Sequence, residues 1–88
     1  MSIKIVKAEY LKEYSIKLHF SDKKTQVVNF KLFLENSKNP MTRKYLNIEK
    51  FKEFKIVFGD LVWHDYELCF PIMDLYENTI MHEMHSVA

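Results

Sequence analysis

Apolar and polar residues alternate most clearly over Tyr14, Ile16, Leu18 and Phe20, which are separated by Ser15, Lys17 and His19. A period of two places the apolar set on one face of a β-strand. Ile3, Ile5 and Val6 open an earlier β-prone stretch that runs to about Tyr10, and Thr25–Phe30 returns after the polar turn Ser21-Asp22-Lys23-Lys24. Two registers fit this first hairpin. A loop of Asp22 and Lys23 pairs Phe20 with Thr25 and Leu18 with Val27. A loop one residue longer pairs Phe20 with Gln26 and Leu18 with Val28. The second is favoured, because it sends Val28 and Phe30 inward together.

The period changes after Phe30. Phe30, Phe33 and Leu34 stand at helical spacing, and Asn36-Ser37-Lys38-Asn39-Pro40 punctuates the chain behind them. Asn47 is placed to cap a short helix over Ile48–Glu53, with Glu49 in its first turn. A second hairpin follows. Phe54–Phe58 and Leu61–His64 flank Gly59-Asp60, which reads as a two-residue turn pairing Phe58 with Leu61 and Ile56 with Trp63. That register predicts Phe54, Ile56, Phe58, Leu61 and Trp63 on the core face. Pro71 suits the first turn of a helix, and Ile72, Tyr76, Ile80 and Met84 continue it at intervals of four, broadened by Met73 and Val87. Asn78-Thr79 weakens this helix beyond Tyr76.

These elements predict a small two-layer α+β domain. It has a mostly antiparallel sheet of about five strands in hairpins, with two or three short helices. Residues 1–77 form the domain, and 78–88 are a C-terminal helical extension or tail. At 88 residues the chain is one domain, and its 48% hydrophobic content, with seven Phe, five Tyr and one Trp, suffices for a core. A single cysteine, Cys69, excludes an internal disulfide. Lys4 and Lys7 interrupt any signal-like apolar run, and no stretch is long and apolar enough to span a membrane. A soluble protein of a bacterial-type cytoplasm is expected.

Charge is unevenly placed. All 13 Lys and Arg lie between Lys4 and Lys55 with six acids among them, and six further acids lie from Asp60 onward. The halves are expected to neutralise each other within the fold, with a basic surface for an acidic partner as the alternative.

Candidate chemistry is sparse. His82 and His85, with Met81 and Met84, offer soft donors suited to copper or nickel. Two histidines without a clear third ligand rarely close a metal site, so a frayed or partner-packed C-terminus is preferred and no metal or cofactor is expected. Cys69 beside Leu68 and Phe70 reads as a buried structural thiol; no residue orients His64 as its base. Lys38, Arg43, Lys44, Lys50, Lys52 and Lys55, interleaved with Tyr45 and Phe51, raise nucleic-acid binding as the alternative function. A formal net charge of +1 and a lone arginine count against it. No nucleophile, base and stabiliser assemble, so catalysis is not expected. Trp63 belongs to the core. Tyr66 is a candidate surface for a protein partner or a second copy, and the C-terminal stripe of Ile80, Met81, Met84 and Val87 either caps the sheet or docks on another chain, with Ile80, Met81 and Met84 as its candidate contacts.

The series Tyr14-x-Ile16-x-Leu18-x-Phe20-x-Asp22, Leu46, Phe51, Val57-Phe58-Gly59, Val62-Trp63, Asp65, Leu68 and Asp74-Leu75-Tyr76 resembles the small bacterial domain-of-unknown-function family 2442 over roughly residues 3–77. The chain departs from the family at Lys23, where glycine is usual, and at Asn29-Phe30, where Asp-Leu is frequent. The resemblance implies a compact α+β domain and a binding or regulatory role. Some members of that family are fused to a helix-turn-helix domain. Others are encoded beside another small protein, in an arrangement like a toxin–antitoxin pair. The expected function is therefore a non-enzymatic protein-interaction or regulatory module.

Overall fold

The alternation that marks the first hairpin builds a three-stranded antiparallel sheet: β1 (Ile5–Lys12), β2 (Ser15–Phe20) and β3 (Thr25–Asn29), with β2 central. The structure is a computed structural model and describes residues 2–80. Ile16, Leu18 and Phe20 of β2 are buried, as the period of two requires. Tyr14 does not begin β2. It sits in the β1–β2 turn beside Glu13, which takes a left-handed φ of 48°. Its ring still faces inward, 5.4 Å from that of Phe51, and its hydroxyl donates to the Leu46 carbonyl at 2.5 Å.

Both expected registers of the β2–β3 hairpin are corrected. Leu18 lies opposite Gln26 and Ile16 opposite Val28, and the Phe20 amide donates to the Lys24 carbonyl at 2.8 Å. The loop is Ser21-Asp22-Lys23. The Lys23 amide closes it onto the Phe20 carbonyl at 2.9 Å, the Asp22 carboxylate accepts from the Lys24 amide at 3.0 Å, and Lys23 turns the chain at φ 77°. The favoured register was displaced by two residues, which leaves the faces unchanged. Val28 and Phe30 are buried, whereas Val27 is 47% exposed. A lysine in the left-handed region pays a steric penalty that glycine does not. Lys23→Gly is therefore expected to raise stability by about 1 kcal/mol, a gain of several degrees in Tm for a domain of this size. A thermal melt showing no gain would contradict this account of the turn.

A second three-stranded antiparallel sheet comprises β4 (Lys55–Val57), β5 (Asp60–Trp63) and β6 (Leu68–Cys69), again with the middle strand central. The expected pairing is corrected here too. Ile56 lies opposite Leu61 and Val57 opposite Asp60, so the two turn residues are Phe58 and Gly59. Both have positive φ, 51° and 86°, as a type I′ turn demands. Glycine takes the second central position, so Asp60 is free to begin β5. The shift expels Phe58 from the core, and it is 91% exposed. Gly59 also joins the sheets. Its carbonyl accepts from the Ile5 amide at 2.9 Å, and a Cβ there would stand 2.9 Å from Cβ and Cγ of Lys4.

Among the described residues four short α-helices cover the core: α1 (Lys31–Asn36), α2 (Pro40–Arg43), α3 (Ile48–Phe51) and α4 (Ile72–Glu77), with a 3-10 turn over Lys44–Leu46. The Asn47 side chain caps α3 as expected, accepting from the Lys50 amide at 3.2 Å. Asn39 caps α2 in the same way at 2.9 Å. α4 starts directly after Pro71, and Asn78 stops it in the left-handed conformation. Ile80 lies past that stop and is buried in the core.

The sheets and helices meet on Trp63. Its ring is surrounded by those of Phe30, Tyr45, Phe51, Phe54 and Phe70, with centroids 5.5 to 6.3 Å away. Its indole N–H donates to the buried Phe51 carbonyl at 2.8 Å, giving its polar atom a partner inside the core. Tyr76 ties α4 to the first hairpin. It packs edge-on against Phe20, its hydroxyl donates to Asp22, and its carbonyl accepts from Lys24 Nζ and Gln26 Nε2. Among the described residues, no helix is long and apolar enough to cross a membrane.

Candidate functional site

Two surface features stand out, and both arise where short turns force non-glycine residues into the left-handed region. The first is a shallow cleft of about 170 Å³ lined by Lys44, Tyr45, Lys50, Glu53 and His64. The 3-10 turn and α3 supply one wall, and the β5–β6 turn supplies the other. That turn bends sharply because His64 (φ 49°) and Tyr66 (φ 61°) are both left-handed. It is closed by the Glu67 amide donating to the Trp63 carbonyl at 3.1 Å. Glu67 then reaches back across the cleft wall. Its Oε1 accepts from the Tyr45 hydroxyl at 2.5 Å and pairs with Lys44 Nζ at 2.6 Å.

The electrostatics of this clamp oppose acid–base chemistry near neutral pH. Lys44 and then Tyr45 hold the Glu67 carboxyl below its ordinary value of 4.5. Burial, and then the hydrogen bond to Glu67, push the Tyr45 hydroxyl well above its usual range. Glu67 therefore stays ionised and Tyr45 stays neutral, whereas a general acid or base works best with a pKa near the operating pH. The arrangement fixes the β5–β6 turn to the helical segment.

Two other carboxylates are held low in the same manner. Glu9 accepts from His19 on the outer face of the first sheet. Asp22 accepts from Tyr76 and from the Lys24 amide. For all three the folded value lies below the unfolded one, so the native state binds fewer protons in acid. Their stabilisation is fully present above the unfolded values and is lost as pH falls through the folded ones. Urea midpoints are expected to drop below about pH 4. Glu67→Gln is expected to lower the midpoint at neutral pH and make the acid drop shallower. An acid drop as steep as in the parent chain would show that Glu67 contributes nothing to it.

The second feature is the β4–β5 tip, where Phe58 projects into solvent. Tyr66 stands nearby at 47% exposure, its hydroxyl 3.5 Å from the Val57 carbonyl. Of the residues expected at an interaction surface, Tyr66 is thus exposed and Ile80 is not. Met81 and Met84 lie outside the described residues, as do His82 and His85. Among the described residues no group of three or more His, Cys, Asp or Glu is arranged to hold a metal ion.

Comparison with known protein families, with curated proteins and with solved structures finds no match to this chain.

Cys69 is exposed, which corrects the expectation of a buried thiol. It lies opposite Val62 in β6, with Leu68 and Phe70 turned inward on either side. His64 lines the cleft and Cys69 does not. In the basic middle segment, Tyr45 and Phe51 are 3% and 0% exposed, so neither offers a face on which a base could stack. Arg43 is turned onto the Glu35 and Ser37 carbonyls behind α1, and Lys44 is paired with Glu67. The latter contact joins the basic and acidic halves of the chain. Phe58 was missed because the turn was centred one residue too late. The sequence did carry the signal: glycine in a type I′ turn takes the second central position most readily.

Proposed function

We propose that the chain is a non-enzymatic protein-interaction or regulatory module, one half of a two-component pair resembling a toxin–antitoxin arrangement, and that Phe58 is its principal contact. The observation that carries this reading is Phe58 itself. A large aromatic side chain is 91% exposed at a backbone angle that costs free energy. Among the described residues nothing requires phenylalanine there, since asparagine or glycine suits a type I′ turn better. An exposed aromatic on a rigid hairpin fits a partner that offers an apolar pocket, with Tyr66 at the rim. The sequence resemblance to family 2442 is in keeping with this reading, because some members of that family are encoded beside a second small protein.

Calorimetric titration with the purified product of the adjacent gene tests the proposal. Saturable binding that Tyr66→Ala weakens is expected. Absence of binding, together with a gel shift that salt abolishes, would favour the nucleic-acid alternative instead.

A further inference from the structure

We infer that β3 is a self-association edge, and that two copies of the chain pair antiparallel through it, centred on Val27. The inference does not rest on the Phe58 reading.

The backbone register decides which groups of β3 are free. Phe20 bonds to Lys24, and the Phe30 amide donates to the Tyr14 carbonyl at 2.8 Å. Bonded and non-bonded pairs alternate along an antiparallel ladder. Residues 24, 26, 28 and 30 therefore bond to the β2 side, and the N–H and C=O groups of Thr25, Val27 and Asn29 point to the open edge. Among the described residues, nothing bonds to the backbone of these three.

The other edges are blunted. β1 has register irregularities at both ends and meets the second sheet at Gly59. β4 spans three residues and begins with a lysine, and β6 spans two. Bulges, charges and short length are the usual protections of an edge. β3 has none of them: Thr25-Gln26-Val27-Val28-Asn29 is uncharged and regular, and α4 meets it through the Tyr76 carbonyl at Lys24 and Gln26, on the side of Leu18.

The same strand is complementary to itself. With Val27 opposite the partner's Val27, Thr25 falls opposite the partner's Asn29, and Asn29 opposite the partner's Thr25. All three are outward-bonding positions, so every free backbone group of the strand finds a partner. The two Val27 side chains, each 47% exposed in the single chain, form an apolar cross-strand pair on the outer face. No charges oppose one another within the paired segment. Lys24, at its end, is already held over the Tyr76 ring at 4.0 Å. The product is one continuous six-stranded sheet with two-fold symmetry.

Sedimentation equilibrium of the full chain over a concentration series tests this. The parent chain is expected to approach twice its mass of 10.7 kDa. Val27→Lys sets two like charges opposite each other and is expected to weaken dimerisation by about tenfold or more. Its side chain points to solvent opposite Lys17 of β2, so the circular dichroism spectrum is expected to be kept with a slightly lower Tm. Val27→Thr, which keeps the β-branch, is expected to dimerise. Amide exchange at Val27 is expected to slow as concentration rises. A monomer throughout the series would overturn the inference. So would a dimer that survives Val27→Lys. A monomer with a protected Val27 amide would mean that another part of the same chain covers the edge, and would overturn it as well.

Discussion

Replacing Trp63 with alanine is expected to cost about 3–5 kcal/mol of folding stability. A small domain holds about 5–15 kcal/mol in total, so the variant should be near the limit of folding. The cost follows from position. Trp63 is 0% exposed and contacts rings from the β3–α1 junction, the 3-10 turn, α3, the approach to β4 and the chain after β6. Truncation leaves a cavity where both sheets and the helical segment meet. It also strips the buried Phe51 carbonyl of its donor. Trp63→Phe separates the two effects. It keeps a ring but loses the N–H, and an unsatisfied buried carbonyl costs about 1–3 kcal/mol. Urea unfolding followed by circular dichroism should rank the parent above Trp63→Phe, and Trp63→Phe above Trp63→Ala. Equal midpoints for all three would contradict a core centred on this residue.

Much of this core can be read along the chain. The alternation through Phe20 places Ile16 and Leu18 inside. Asn47 and Pro71 mark helix starts by mechanisms local to a few residues. Trp63 is buried on either register of the second hairpin, because β5 is covered on both faces and Leu61, Val62 and Trp63 are all 0% exposed. What local pattern cannot supply is the backbone angle at a turn. Lys23 and Phe58 both occupy left-handed positions that favour glycine, and each moved its hairpin away from the pairing that composition suggests. The strand number reflects the same limit. Among the described residues six short strands form two sheets, and the sheets meet where the Gly59 carbonyl accepts from the Ile5 amide, a contact distant in sequence. The cleft clamp was equally out of reach, since Tyr45 and Glu67 are 22 positions apart. Cys69 is a different case. Its neighbours Leu68 and Phe70 share a face, so strand periodicity already places the thiol on the opposite one.

Phe58→Asn is expected to do two opposite things. Asparagine tolerates φ near 50° at the first central position of a type I′ turn, and phenylalanine does not. The substitution removes almost no buried area, because Phe58 is 91% exposed. The fold should gain about 1 kcal/mol, or several degrees in Tm. If the exposed ring is the contact for a partner, the same change should cost about 2 kcal/mol or more of binding, a loss on the order of 30-fold in affinity. A residue kept for packing or turn formation would show neither combination. The decisive measurement is therefore paired: the thermal melt of Phe58→Asn, and its calorimetric titration with the adjacent gene product, each beside the parent chain. A higher Tm with much weaker binding is expected. A lower Tm, or binding as tight as the parent's, would contradict it.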